Sequence, residues 1–239
     1  METLKQHKAL TNLKPAIDHN GLNPLKVVNS YSQKSMIDFI LDLPNICTLL
    51  GLLSALLGIY FAIQNLFYFA VICGAWAVLF DLLDGFVARK IKGRTSEDRN
   101  FGGQLDSLID IVSFGVLPSI ILLSYADYNS WFIPGAFAII AACAIRLSYF
   151  NMYGLTGGKT YTGLAVDNTG LIVSLAFLFE SFVGKTFFPI GLLILLMMVV
   201  AFNLAPIQTP KFSSKMILGI TVYVIVLTIY LGSVQFSLN

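Results

Sequence analysis

Charge is what this chain has least of. Of 239 residues, 12% are charged and 56% are hydrophobic. Soluble domains carry about twice that share of charge. The apolar residues here come in long runs and not at amphipathic spacing, which excludes an ordinary soluble domain and predicts a polytopic membrane protein. A net charge of +2 gives no support to nucleic-acid binding. Cysteine is also scarce. Cys47, Cys73 and Cys143 lie in apolar segments without metal-ligand or CxxC spacing, and read as small packing residues. His7 and His19 form no cluster. The start of the chain lacks the basic-then-apolar pattern of a cleavable leader, so none is expected.

What charge there is falls in few places. Residues 1–35 hold Lys5, Lys8, Lys14, Lys26 and Lys34. Pro15, Gly21 and Pro24 rule out one long helix there. From about Ser32 to Leu43, Met36, Ile37, Phe39, Ile40 and Leu41 alternate with Gln33, Lys34, Asp38 and Asp42. That pattern fits a short amphipathic helix on the membrane surface, or equally a frayed linker. The expected organisation is therefore a cytoplasmic N-terminal segment, 1–43, and a transmembrane domain, 44–239.

Spans of roughly 17–25 apolar residues are predicted near 45–63, 66–90, 104–124, 131–150, 164–182, 187–205 and 215–233. The connections are short, and 91–103 is expected to be a polar loop. With the N-terminus in the cytoplasm, the basic residues of 1–35 and 89–99, together with Arg146, Lys159, Lys211 and Lys215, share one side. These are 14 of the 15 Lys and Arg, and only Lys185 faces out. That is the positive-inside distribution.

The costly residues lie between 81 and 110. The chain reads Asp81-Leu-Leu-Asp84-Gly85-Phe-Val-Ala88-Arg89, then a polar stretch, then Gly102-Gly-Gln-Leu-Asp106-Ser-Leu-Ile-Asp110. An aspartate at a transmembrane helix centre costs at least ~2.5 kcal/mol. Asp81 and Asp84 are three apart, Asp106 and Asp110 four apart, so each pair projects from one face of its helix. A short connection makes the two helices antiparallel neighbours, and four carboxylates can converge at the cytoplasmic boundary. A divalent ion, or two, would relieve their repulsion. All-oxygen donors favour Mg²⁺, Mn²⁺ or Ca²⁺, and Mg²⁺ commonly shares such a site with substrate phosphates. Gly85, Ala88, Gly102 and Gly103 are small. They serve close helix packing or leave room for a flat ligand. Arg89 and the basic residues after it would attract phosphate, or serve only as the positive-inside signal.

The pattern Asp-x-x-Asp-Gly-x-x-Ala-Arg…Gly-x-x-x-Asp-x-x-x-Asp resembles that of the CDP-alcohol phosphatidyltransferase family. Asp81, Asp84, Gly85, Ala88, Arg89, Gly102, Asp106 and Asp110 fill its fixed positions. The stretch from Arg89 to Gly102 is longer than usual for the family, and is expected to lengthen the loop without moving the aspartates. The resemblance implies an all-α integral membrane enzyme. It would have a six-helix family core, here followed by a seventh C-terminal span, and would form a homodimer. Its active site would face the cytoplasm, at the plasma or inner membrane in a prokaryote. Such enzymes displace CMP from a CDP-linked lipid or alcohol. By carry-over, Asp81, Asp84, Asp106 and Asp110 would bind two divalent ions, Mg²⁺ or Mn²⁺, and Asp110 would also be the base. Asp81, Gly85, Ala88, Arg89, Gly102 and Asp106 would bind the nucleotide. Asn45 and Thr48, in a Pro44-Asn45…Thr48 helix start seen across the family, would join them.

For the acceptor, Gln104–Pro118, Arg146–Asn151 and Tyr161-Thr-Gly163-Leu resemble the serine-accepting branch. The implied reaction takes CDP-diacylglycerol and L-serine to phosphatidylserine and CMP. Other acceptors (inositol phosphate, glycerol phosphate, choline) and a CDP-archaeol donor remain alternatives. A different class, an ion channel or transporter, would line its path with such carboxylates, but these cluster at one face. Arg146, Asn151 and Lys159 are the acceptor-binding candidates. Arg146 would serve an anionic group or snorkel to the interface. Asp167 departs from the serine-branch pattern and reads as a solvated helix end; Asn168 is a further polar neighbour.

Overall fold

The computed structural model describes residues 34–154, 160–210 and 214–238, with the side chains of Tyr161, Ser214, Lys215 and Leu238 excepted. The expectations for residues 1–33, Lys159 and Lys211 lie outside the described residues. The chain forms two compact units, Met1–Asp38 and Phe39–Asn239. In the described end of the first, the Ser35 amide and hydroxyl both donate to Asp38, each at 2.9 Å. A short helix, α1 (Met36–Ile40), follows, shorter than the amphipathic helix expected over 32–43.

The second unit is helical. Its elements are α2 (Leu43–Ile63), α3 (Phe67–Lys90), α4 (Ser96–Asp110), a π-helical segment (Ile111–Val116), α5 (Leu117–Tyr125), α6 (Ile133–Tyr153), α7 (Asn168–Leu178), α8 (Glu180–Val183), α9 (Phe188–Leu204) and α10 (Ser214–Leu238). Five helical stretches among the described residues are long and apolar enough to cross a membrane: Leu43–Ile63, Phe67–Lys90, Ser96–Tyr125, Ser130–Tyr153 and Met216–Ser237. The protein is thus a polytopic membrane helical bundle. The helices at the expected fifth and sixth spans are shorter, 11 residues in α7 and 17 in α9. At 1.5 Å per residue α7 reaches only ~17 Å. In the connection before it, β1 (Thr160–Thr162) pairs antiparallel with β2 (Gln208–Pro210).

Helix α3 is the hub, packed by α2, α7 and α10. The α2–α3 seam is lined by Ala55, Ala62, Ala70 and Ala75, all fully buried. Gly58 sits in it as well, where a Cβ would come within 3.2 Å of the Ala70 carbonyl oxygen. Small residues of this kind let membrane helices approach closely. Around the seam pack Leu79, Leu117, Leu122, Phe177, Leu192, Leu196, Val224 and Leu231.

Of the 91–103 stretch, only 91–95 is the loop expected from its polarity. Helix α4 begins at Ser96, because Thr95 and Asp98 form a reciprocal capping box: the Asp98 amide donates to Thr95 Oγ1 at 3.2 Å and the Thr95 amide to Asp98 Oδ2 at 2.9 Å. Such a cap satisfies two orphan donors at once. The added residues are therefore helical and lengthen the third span on the aspartate side. Arg94 fixes this end to α2, with Nη2 2.7 Å from Asp42 Oδ2, and Phe101 stacks on Phe39 at 4.3 Å.

The π segment starts directly after Asp110. Pro118 has no N–H for the helical ladder, and the Leu117 amide reaches back to the Val112 carbonyl, five residues away. Ser119 Oγ caps the Gly115 carbonyl at 2.8 Å. This π turn shifts the side-chain period after Asp110 relative to the period before it.

The other end of the bundle carries one buried carboxylate, Glu180, which accepts from Tyr68 at 2.7 Å and from Tyr125. It borders a cavity of about 660 Å³. On α3, the residues between Tyr68 and Asp81 include buried Ala70, Val71, Ile72, Ala75, Ala77, Val78 and Leu79, so apolar packing separates Glu180 from the four aspartates.

The segment before α7 is held by its backbone. Gly163 has φ +79°; its amide donates to Ile207 at 2.7 Å, and the Leu164 amide to Phe202 at 2.9 Å. A Cβ on Gly163 would lie 2.2 Å from the Asn203 carbonyl oxygen, whereas Gly184, with the same φ, has open space around it. Both positions penalise a side chain through backbone strain, but only Gly163 adds a collision, worth about 1–3 kcal/mol. Gly163→Ala is expected to lower the melting temperature in detergent clearly more than Gly184→Ala; equal losses would reject the close approach.

Candidate active site

Three helices build the site. The last turns of α3 present Asp81, Asp84, Gly85 and Ala88. The body of α4 presents Gly102, Gly103, Asp106 and Asp110. The first turns of α2 present Asn45 and Thr48. One carboxylate oxygen each from Asp81, Asp84 and Asp106 lies within 4.8 Å of the others. Thr48 Oγ1 donates to Asp84 Oδ2 at 2.5 Å. Asp106 Oδ1 is buried without a hydrogen-bond partner. Leaving a buried carboxylate oxygen unsatisfied is costly. Three converging acidic oxygens, with an unpartnered buried oxygen on Asp106, make a donor set that a hard divalent cation completes, so these residues fit such an ion. Asp110 lies one turn further along α4 and is buried. It stands outside that triad but borders a small shared cavity with Asp81, Asp106 and Thr48.

Beside the triad is a cavity of about 190 Å³, lined by Pro44, Asn45, Thr48, Asp84, Gly85, Ala88, Arg94, Arg99, Gly102, Gly103 and Asp106. The expected nucleotide residues Asn45, Thr48, Gly85, Ala88, Gly102 and Asp106 thus meet around one space. Arg89 borders an adjoining cavity of about 400 Å³, with Ala88, Ile91, Arg94 and Arg99. A Cβ on Gly102 would come within 3.0 Å of Asn45 Oδ1 and 3.1 Å of Arg94 Nη2, so Gly102 is small because α2 and Arg94 press on it. Gly103 has nothing within 4 Å and simply opens the cavity. Arg94 and Arg99, among the basic residues after Arg89 expected to attract phosphate, line both cavities; the helix that carries Arg99 is signalled by Thr95-x-x-Asp98, a visible capping signature.

Of the acceptor candidates, Arg146 is buried on α6, with its guanidinium 5.4 Å from the Phe150 ring centroid. It is not a snorkelling surface arginine. Asn151 Nδ2 donates to Ser107 Oγ at 3.0 Å, which joins α6 to the aspartate helix. Asp167 overturns its expectation as a solvated helix end. It is buried at the start of α7, and its Oδ1 accepts from the Asn168 amide at 2.9 Å. It lies within electrostatic range of Asp81, Asp106, Asp110 and Arg146. No periodicity argument could have found this, because the long-range β1–β2 pairing before α7 does the placing.

Apolar membrane helices that gather acidic oxygens beside a basic-lined cavity define a membrane-embedded enzyme acting on a phosphate-bearing substrate. Residues 41–234 match the CDP-alcohol phosphatidyltransferase family, and the chain belongs to that family; it is a phosphotransferase. The archaetidylserine synthase of Methanothermobacter thermautotrophicus is 37% identical, covering 69% of this chain and 70% of its own. A CDP-diacylglycerol–serine O-phosphatidyltransferase of Methanocaldococcus jannaschii is 31% identical, over 76% of this chain and 80% of its own. That of Helicobacter pylori strain J99 is also 31% identical, over 58% of each.

The Thr48–Asp84 bond spans two helices and involves a buried charge, a class of hydrogen bond worth about 1.5–3 kcal/mol. Thr48→Val keeps the volume and removes the donor. It is expected to lower stability in detergent by that order, read by thermal unfolding, with Thr48→Ser close to wild type.

Proposed function

We propose that the protein transfers a phosphatidyl group from CDP-diacylglycerol to the hydroxyl of L-serine, forming phosphatidylserine and CMP. The observation that carries this is the convergence of Asp81, Asp84 and Asp106 beside a cavity lined by the small and polar residues of the family pattern. The serine acceptor rests on the relatives, whose names specify serine.

In this reading Asp81, Asp84, Asp106 and Asp110 hold two divalent ions, Mg²⁺ or Mn²⁺. When bound, these supply Lewis-acid neutralisation of charge on the diphosphate. Asn45, Thr48, Asp81, Gly85, Ala88, Arg89, Gly102 and Asp106 receive the nucleotide, and Arg94 and Arg99 add positive charge against its phosphates. Thr48 holds the Asp84 carboxylate in place. Asp110 takes the proton of the serine hydroxyl, the freed oxygen forms a bond to the lipid-bearing phosphorus, and the bond to CMP breaks with its electron pair leaving on CMP. Arg146 faces the serine carboxylate, with Asn151 and Lys159 as further polar contacts. The catalytic end lies at the cytoplasmic side, where 14 of the 15 basic residues would fall and where serine and CMP exchange. The proposal extends to residues 44–239 as the transmembrane domain, to contact with membrane lipid and to assembly as a homodimer.

A second reading of the donor is favoured by the archaetidylserine synthase relative: the site residues meet the nucleotide and serine, so CDP-archaeol would be handled by the same chemistry. Purified protein supplied with each CDP-lipid in turn separates the two.

CMP release is expected to require a CDP-lipid, serine and a divalent ion together, and to stop when EDTA is added and resume with Mg²⁺ or Mn²⁺. Release without serine, or with any alcohol equally, would overturn the acceptor assignment. Asp110→Asn is expected to reduce kcat by about 10²–10⁴-fold, the range of a general base, with near wild-type thermal stability. Turnover within a few-fold of wild type would reject Asp110 as the base.

A further inference from the structure

A serine zwitterion presents an ammonium as well as a carboxylate, and a selective site needs an anion for it. We infer that Asp167 is that anion, a specificity determinant that pairs with Arg146 to read the two charges of the amino-acid acceptor. The inference rests on the serine reading above and deepens it.

Packing places Asp167 independently of its charge. Its neighbour Val166 belongs to one buried cluster with Val78 and Leu82, which bracket Asp81, with Cys143 and Leu147, which bracket Arg146, and with Phe114. Gly170, one turn after Asp167, lies so close to α3 that a Cβ there would be 2.6 Å from Val78 Cγ2. The Cys143 thiol reaches the Asp110 backbone carbonyl at 3.9 Å. The starts of α7, α3's aspartate turn, α4's end and α6's Arg146 turn therefore meet at one level. The Gly163 anchor and the β1–β2 pairing hold the approach to α7, and the Asn168 amide orients the carboxylate.

Two plainer roles explain Asp167 less well. Asn or Ser would cap α7 equally well without the cost of burying a charge beside other carboxylates. Nor is Asp167 among the oxygens gathered within 4.8 Å at the aspartate triad. What it adds is negative charge within electrostatic range of both Arg146 and Asp110. An ammonium balances that charge. A phosphorylated acceptor brings two more negative charges to it and is repelled, which is the repulsive half of specificity. The residue that departs from the expected serine-branch pattern thus favours an amino-acid acceptor over inositol phosphate or glycerol phosphate.

The test compares serine with 3-hydroxypropionate, which is serine without its amino group, as acceptors for CMP release by the full-length protein in detergent with Mg²⁺ and CDP-lipid. Asp167→Asn keeps the α7 cap and removes the charge. The preference for serine over 3-hydroxypropionate, as a ratio of kcat/KM, is expected to fall about 10- to 100-fold, the loss of one charged hydrogen bond, and to appear chiefly in the serine KM. Asp167→Ser, which also caps, should do the same and covers a failure of the first variant to fold. Arg146→Gln should erode the preference for serine over ethanolamine instead. If both Asp167 variants lose activity on serine and 3-hydroxypropionate in equal proportion, the role is structural or metal-binding and the inference falls. If the wild-type protein transfers to no amino acid, the serine reading itself falls.

Discussion

The structure depends on keeping carboxylates in an apolar bundle. Asp84, Asp110 and Asp167 are each buried; Asp106 shares one cavity with Asp84 and, together with Asp81, another with Asp110. Charge at that depth is tolerated only where partners, cations or polar groups offset it. Much of the architecture serves this. Thr48 comes from α2 to donate to Asp84. Alanines and glycines in the α2–α3 seam bring the helices close enough for that bond. Arg146 comes from α6 to within electrostatic range of Asp110 and Asp167.

The same constraint orders the two ends of the bundle. At the far end a buried carboxylate, Glu180, is satisfied within the protein by two tyrosine hydroxyls. At the aspartate end the carboxylates outnumber their donors, and one oxygen of Asp106 has none. One end is closed electrostatically and the other calls for ligands. That asymmetry is what separates a structural buried charge from a site built to receive cations and phosphate.

Much of this was legible in the residues. Spacings of three and four in apolar runs put the aspartates on two helix faces, and the structure places Asp81, Asp84 and Asp106 together. The helix start at Pro44 placed Asn45 and Thr48 at the same cavity. Other parts were misread for definable reasons. Residues 96–103 are polar and predict a loop, but a capping box at Thr95 and Asp98 starts a helix there that polarity alone does not reveal. The π segment after Asp110 leaves no periodic trace, because a single wide turn only shifts the phase. Asp167 reads as solvated because it opens a helix, whereas its burial is decided by strand β1, whose partner β2 is almost fifty residues further along the chain.

The sequence by itself determined the membrane class, the paired carboxylates and the small residues beside them, since the helical period is local and acts over three or four residues. Tertiary structure decided which distant side chains answer those carboxylates. Thr48 meets Asp84 across 36 residues and Asn151 meets Ser107 across 44, while Asp167 arrives from a separate helix. Those meetings follow from how closely backbones pack at Gly58, Gly102, Gly163 and Gly170, a matter of volumes contributed by several segments at once, which no single stretch of sequence contains.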